Sequence, residues 1–495
     1  MDKGAKRMEE GLNIPLDEEA KDVVLKKQET TNNIVDSNIK QQIVEVNDQQ
    51  PALVKQKTKR VATLDAFRGL TIVIMILVDK VGGVYPRIDH APWDGCTLAD
   101  FVMPFFLFIV GVAIALALKK IHKIKYAVKK IMLRTLKLLF WGILLQGGYS
   151  HALDDELSYG VNMKFIRWCG ILQRIALVYF VVALIETFTT KLRPTTLTPG
   201  RIAIFTAYKW QWFGGFVAFL IYMITIFTLY VPDWSFVDHA NGDEPKRYTV
   251  ICGTRGHIGP ACNAVGYVDR QVWGVNHFYS HPVWRHMKEC TFSSPGEGPL
   301  REDAPSWCHA PYEPEGLLSS ISAILSGTIG IHYGHVLIHF KGHLDRLKQW
   351  VSMGFVLLTI AIILHFTNAI PINKQLYSIS YVCFTAGVAG IVFSGLYILI
   401  DVWGFRTPFL FLEWIGMNSM LVFVMAAQGI FAAFVNGWYY ENPNNSLGHW
   451  IKKHVFVNVW NSERVGTLLY VIFAEITFWG IVAGVLHKLK IYWKL

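Results

Sequence analysis

One short stretch concentrates the residue types that acid–base and acyl-transfer chemistry needs. It runs from Asp79 through Asp89-His90-Ala91-Pro92-Trp93-Asp94-Gly95 to Asp100. A histidine beside a carboxylate suits general-base or nucleophilic work, because the carboxylate orients the ring and stabilises the imidazolium. His90, Asp100 and Asp79 are therefore the candidate catalytic residues. Asp100 stands in Leu98-Ala99-Asp100-Phe101-Val102-Met103-Pro104. Pro104 has no N–H, so the carbonyl of Asp100, four residues earlier, loses its helical partner. Free backbone at membrane depth is tolerated only where protein buries it or it lines a cavity. The plainer reading is that Asp100 caps a helix and His90 is a wetted loop residue. Cys96, close by, offers either a thiol nucleophile or a small buried residue at a helix start.

Other polar groups stand in apolar surroundings. Arg174, in Gly170-Ile171-Leu172-Gln173-Arg174, must snorkel, pair or meet an anion. Asn418 and Ser419 follow Gly416-Met417, and Glu186, Glu413 and Glu475 lie in or beside apolar runs. His335, His339 and His343 recur every four residues. Such a helical stripe could bind a metal, but only Asp345 joins it. Interface-facing histidines are the simpler reading, and no metal is expected. His277, His281 and His286 read the same way. The chain has no Walker A loop, G-x-S-x-G elbow or H-E-x-x-H pattern.

The elements that must position these residues are membrane spans. Of 495 residues, 52% are hydrophobic and 17% charged, against about 25% charged in a soluble domain. This excludes a disordered or collagen-like chain and argues against a set of soluble domains. Ten segments have the length and apolarity of spans, near Leu64–Val84, Leu98–Leu118, Ile131–Gln146, Gly170–Phe188, Phe213–Val231, Leu317–Ile338, Val351–Ile370, Tyr377–Ile400, Phe409–Val435 and Val465–Leu486. The expected fold is all-α and polytopic, with a transmembrane domain over 61–495. The third segment is short and interrupted by Lys137 and Gly142.

The net charge of +10 invites a nucleic-acid reading, so its location matters. Residues 1–60 hold eleven acids and eleven bases and no Phe, Trp or Tyr. They read as a disordered cytosolic tail, with no signal peptide. Lys119, Lys120, Lys123, Lys125, Lys129, Lys130, Arg134 and Lys137 form a basic loop without an acid. Between apolar spans that is a positive-inside signal, and no nucleic-acid partner is expected. An even number of spans puts both termini on one side, and the Lys/Arg bias makes that side the cytosol.

The loop 232–316 then lies outside the cytosol and holds four of the seven cysteines: Cys252, Cys262, Cys290 and Cys308. Two disulfides are expected, with three pairings open; a zinc site is the alternative. The glycosylation pattern Asn444-Asn445-Ser446 falls on the same side. Asp79, His90 and Asp100 share the outer mouth of one hairpin. Two rival functions remain at this point. One is a transporter using buried Asp79 and Asp100, against which the lack of a visible internal repeat weighs. The other is a receptor or scaffold, which leaves the Asp79–His90–Asp100 cluster unexplained.

Several motifs together resemble one family. Leu64-Asp65-Ala66-Phe67-Arg68-Gly69 is similar to the opening signature of the heparan-alpha-glucosaminide N-acetyltransferase family. So are His90-Ala91-Pro92-Trp93-Asp94-Gly95 with Leu98-Ala99-Asp100, and Gly170-Ile171-Leu172-Gln173-Arg174. Glu313-Pro314-Glu315-Gly316-Leu317-Leu318, Ile372-Asn373-Lys374 and Gly416-Met417-Asn418-Ser419 complete the set, in family order. The resemblance implies a polytopic acetyltransferase that moves acetyl from cytosolic acetyl-CoA to a terminal glucosamine amine on the luminal side. It implies that His90 is the active-site histidine and Asp100 its partner. The position of Asp79 bears an amide in the animal enzyme, which also carries an N-terminal luminal domain where this chain has its tail. The long outer loop resembles the plant branch, where heparan sulfate is not expected. The acceptor is then an amine or hydroxyl of a luminal amino sugar, glycan or small molecule. With acetyl-CoA as co-substrate, Arg68, Arg134 and Arg174 near the inner face would hold its phosphates, and Gln173 and Asn418 complete the donor set. The partners are the bilayer and that acceptor, with a homodimer one option. The address is an endomembrane of lysosomal or vacuolar kind, or the plasma membrane.

Overall fold

The computed structural model describes residues 61–119, 123–147, 163–164, 166–189, 202–238, 246–442 and 445–493. The tail 1–60 and Asn444 of the glycosylation pattern lie outside these residues. The chain is an all-α polytopic membrane protein. Its helices relevant here are α1 (Ala62–Val81), α2 (Val102–Leu118), α3 (Ile124–Gly147), α4 (Ile171–Phe188) and α5 (Lys209–Thr228). Four short strands follow, β1 (Tyr230–Val231), β2 (Trp234–Asp238), β3 (Lys246–Val250) and β4 (Thr254–Arg255), then α6 (Ala264–Trp273). The bundle resumes with α7 (Leu317–His339), α8 (His343–Phe366), α9 (Ile379–Tyr397), α10 (Leu410–Met417) and α11 (Ser419–Ala427). It closes with α12, the span Glu463–Lys488.

Among the described residues, seven helices are long and apolar enough to cross a bilayer, and the bent pair α10–α11 makes an eighth. The sequence led to ten spans. The other two are α1 and α3, which have membrane length at 20 and 24 residues but carry charge. On α1 the charges sit at the two ends, Asp65 and Arg68 at one and Asp79 and Lys80 at the other. On α3 they are Lys125, Lys129, Lys130, Arg134 and Lys137. The basic cluster is therefore mostly the first half of a helix, not a loop. Lysine and arginine are good helix formers whose long stems can run along apolar surface. The ninth expected span is also altered: it breaks at Asn418, where α10 and α11 meet at 70°.

Small residues set the closest helix contacts. Gly111 of α2 and Gly330 of α7 lie against each other's helix backbone, leaving no room for a Cβ. Gly416 of α10 lies likewise on the Asp65 carbonyl of α1. Close backbone approach of this kind drives helix association where lipid removes the hydrophobic drive. Between the helices, Phe67, Phe108, Tyr333, Trp350 and Phe393 form an aromatic centre with no solvent access above 0%.

The described residues of the loop 232–316 form a folded subdomain. β1 pairs with β4 and β2 with β3, both antiparallel. Disulfides join Cys252 to Cys262 and Cys290 to Cys308, settling which of the three pairings forms. The subdomain core is built on Trp284 and Tyr312, and Trp93 from the His90 loop is part of it. Trp93 lies 5.6 Å from Trp284 and 6.3 Å from Tyr312 between ring centres, and its indole N–H donates to the Ile258 carbonyl at 3.2 Å. On its other side the loop is held by the α8–α9 connection. There Gly95 N–H donates to the Ile372 carbonyl at 2.7 Å, and Asn373 donates to Asp94 at 3.3 Å.

Candidate active site

His90 is fixed by its carboxylate neighbour. Its Nδ1 lies 2.7 Å from Asp100 Oδ1, and the Asp100 side chain is 1% exposed. The other oxygen, Oδ2, accepts from Thr97 N at 3.0 Å, Thr97 Oγ1 at 3.0 Å and Ala91 N at 3.2 Å. Asp100 thus completes the capping box with Thr97 and partners His90 at once. Its backbone carbonyl, freed by Pro104, accepts from the Tyr381 hydroxyl at 2.5 Å. His90 N–H donates to Asp89 Oδ1 at 2.7 Å.

A lysine completes the group. Lys374 Nζ lies 2.9 Å from His90 Nδ1, 3.1 Å from Nε2 and 3.6 Å from Asp100 Oδ1. An ionised carboxylate only accepts and an ammonium only donates. Nδ1 of a neutral ring therefore carries the proton given to Asp100, and Lys374 donates to the lone pair of Nε2. The arrangement can take a proton from, or attack with, Nε2, once Lys374 yields that lone pair.

These groups face a cavity of about 950 Å³. Asp79, Asp89, His90, Glu315 and Lys374 line its waist, and Met75, Phe106 and Phe423 line an apolar part. Tyr248, Arg285 and His309 of the outer subdomain line its mouth. The cavity thus joins the His90 site to the disulfide-bearing side. In its wall, Arg167 holds Glu313 through two hydrogen bonds of 2.7 and 2.6 Å and reaches Glu315 at 2.5 Å. Burial raises the pKa of Glu313, although Arg167 opposes the shift. Cys96 is no ready nucleophile, because burial pushes its thiol up and the Asp100 charge adds to the shift. Among the described residues, no group of three or more His, Cys, Asp or Glu side chains is placed to hold a metal ion.

Residues 60–233 match the family model described as "Heparan-alpha-glucosaminide N-acetyltransferase, catalytic", a stretch that contains Asp79, His90 and Asp100. The mouse heparan-alpha-glucosaminide N-acetyltransferase is 29% identical over 469 residues, and the human one 29% identical over 470. The chain is thus similar to the heparan-alpha-glucosaminide N-acetyltransferase family. Each match takes in 90% of this chain and 62% of the relative, so the chain spans less than two thirds of those relatives' length.

The residues expected at the donor each make separate contacts. Arg68 bonds Asp65 and the Gly416 carbonyl, each at 3.3 Å. Arg134 lies 4.7 Å over the Tyr179 ring, and Gln173 packs on Gly142. Asn418 is fully buried at the α10–α11 break. Arg174 is not at the inner face. It donates to Ser319, to the Pro314 carbonyl and to Ser320, at 2.5, 2.5 and 3.1 Å, at the His90 end of α7. Its ring partner is Tyr377 at 5.0 Å. Buried arginine needs such partners, and these make Arg174 a strut between α4 and α7. The three histidines expected on one helical stripe fall on two helices, His335 and His339 on α7 and His343 at the start of α8, and have separate partners. His335 meets Glu186 at 3.0 Å, His339 meets Tyr208 at 2.6 Å and His343 meets Tyr397 at 2.7 Å. His281 and His286 instead line the cavity. Sequence reasoning missed Lys374, Tyr381 and Arg167. Lys374 stood in a recognised motif, Ile372-Asn373-Lys374, and one lysine in a lysine-poor outer loop was its available signal.

Proposed function

We propose that the protein is a membrane acetyltransferase that moves acetyl from acetyl-CoA, entering from the cytosol, to an amine of an acceptor on the luminal side. The observation that carries this reading is the His90–Asp100 pair, 2.7 Å apart, in the wall of a cavity shared with the disulfide-bearing subdomain. Disulfides persist in oxidising compartments, so that side is read as luminal. Both termini are then cytosolic. An endomembrane of lysosomal or vacuolar kind, or the cell surface, suits a disulfide-bearing luminal face.

The chemistry follows from the atoms. Asp79 and Asp89 line the cavity with His90 and offer acceptors to an amine there. In its ammonium form the amine first loses one proton to water through the open cavity and, once neutral, displaces Lys374 from Nε2. Its lone pair attacks the thioester carbonyl and a C–N bond forms while Nε2 takes the second proton; the C–S bond breaks, and Nε2 passes that proton to the departing CoA thiolate, which leaves as the thiol. The freed ammonium of Lys374 lies where the oxyanion develops and stabilises it. In the covalent variant, Nε2 attacks first and carries the acetyl group to the amine. Glucosamine-like amino sugars have such an amine, and the names of the two relatives give a glucosaminide as the acceptor of those proteins. Of the expected donor residues, Arg68, Arg134, Gln173 and Asn418 are retained for the phosphate and pantetheine parts.

His90→Ala, purified and folded, should lose acetyl transfer to a glucosamine acceptor by about 10²–10⁴-fold. A normal rate in that variant would overturn the proposal. Rapid quenching with labelled acetyl-CoA separates the two routes, since only the covalent one leaves label on His90.

A further inference from the structure

Residues 491–493, which follow α12, turn back into the bundle. At the end of α12, Lys490 adopts a left-handed conformation with φ of +58°. Lys490 N–H donates to the His487 carbonyl at 3.1 Å and Ile491 N–H to the Leu486 carbonyl at 2.9 Å. This is a Schellman reversal, in which glycine is the usual left-handed residue. A lysine in that conformation is held by its surroundings rather than by its own preference. Tyr492 is tied to His487, 3.0 Å from hydroxyl to Nδ1.

The reversal delivers Trp493 to a specific place. Its backbone N–H donates to Asn418 Oδ1 at 3.2 Å, at the break between α10 and α11. Its ring meets Trp141 of α3 edge-on, 4.9 Å between centres. The segment thus ties α3 to the broken helix. Two buried polar atoms lack a hydrogen-bond partner among the described residues: Asn418 Nδ2, at this tie, and Arg134 Nε, farther along α3. Arg134 is seven residues before Trp141, two turns along the same face of α3. The floor of the active-site cavity is near. Phe423 lines it and is five residues past Asn418, roughly 7–8 Å along α11.

We propose that Ile491–Trp493 is a strap that closes the donor's approach to the cavity and is displaced when a phosphorylated nucleotide thioester binds. This rests on the reading that acetyl-CoA enters from the inner side. The approach passes Arg68 and Arg134, whose guanidinium groups suit phosphates, and reaches the cavity floor beside Asn418. The strap holds the Asn418 carbonyl oxygen and leaves its amide nitrogen unpaired. A donor that displaces the strap offers acceptors to that nitrogen and to Arg134. A closed strap lowers apparent donor affinity by the fraction of time the site is shut.

The experiment compares the wild-type chain, Trp493→Ala and a chain ending at Lys490. Both variants should lower KM for acetyl-CoA about three- to tenfold, since the open fraction rises. Their kcat should stay within about twofold, because the strap touches no reacting atom. In parallel, carboxypeptidase Y digestion of the wild-type chain is followed by intact mass. Desulfo-CoA should speed release of Trp493. If the wild type binds desulfo-CoA but the digestion rate and the KM of folded variants do not change, or KM rises, the strap is overturned alone. If the wild type neither binds desulfo-CoA nor transfers acetyl, the acetyltransferase reading falls and takes the strap with it.

Discussion

Asp100 uses both carboxylate oxygens and its backbone carbonyl, and none of its partners is redundant. Oδ1 orients His90, Oδ2 holds the start of the second span, and Tyr381 takes the carbonyl. Such a saturated carboxylate is poorly suited to carry protons or cargo, which weighs against the transporter alternative. Asp100→Asn keeps the size but offers His90 Nδ1 an amide, which can hold the wrong tautomer. The expected outcome in steady-state assays is a loss in kcat of about 10²–10⁴-fold with little change in donor KM. A loss confined to KM would contradict the tautomer argument. Cys96→Ala tests the opposite claim. With its thiol pushed up by burial, Cys96 supplies no thiolate, and the variant should retain wild-type kcat. At this scale His90, Asp79 and Asp100 were legible because they stand within 22 residues of one another in chain order. Lys374 was not, because 284 residues separate it from the ring it touches. Arg174 was visible as a buried charge, but which end of the bundle it served depended on packing with α7.

The elements show where sequence patterning worked and where it failed. Apolar runs located α2, α4, α5, α7, α8, α9 and α12 because lipid imposes length and composition together. The same test shortened α3, whose first half is basic, and it joined α10 to α11. Nothing in an apolar average marks a 70° bend. The outer subdomain was visible only as a cysteine-bearing loop, since its strands are two to five residues long. One of its helices carries a titratable group with a structural duty. Asp269 of α6 accepts the Leu317 N–H at 2.7 Å, at the start of α7, while its other oxygen is buried without a partner. Burial lifts its pKa from 3.8 to about 7. A carboxyl raised on folding favours the folded state when protonated. Its contribution is fully present below pH 3.8 and is lost as pH rises through about 7. Thermal unfolding of the detergent-purified protein should therefore shift upward as pH falls from about 7 toward 4. Asp269→Asn should flatten that slope, and an unchanged slope would assign it to other groups, Glu313 among them.

At the scale of the whole molecule, the site is a junction of three parts made far apart in the chain. The first hairpin brings His90 and Asp100, the α8–α9 connection brings Lys374, and the outer subdomain packs on Trp93. Reducing the two disulfides should loosen the subdomain and with it the His90 loop. Acetyl transfer after treatment with a permeant reductant is expected to fall, and alkylated Cys252, Cys262, Cys290 and Cys308 should appear by mass spectrometry as it does. Activity that survives full reduction would separate the subdomain from the site. The fold class was legible from composition, because a bilayer leaves few solutions. The assembly of the site was not, because it depends on contacts across 165 to 284 residues.

The Trp93 clamp and the Lys374 contact also bear on biosynthesis. A ribosome has finished His90 long before it reaches residue 374, and the residues of the disulfide-bearing subdomain are made in between. Until both arrive, the first hairpin has an imidazole but no settled pocket around it. On the proposed reading, the site is complete only late in synthesis, with the closing of the bundle.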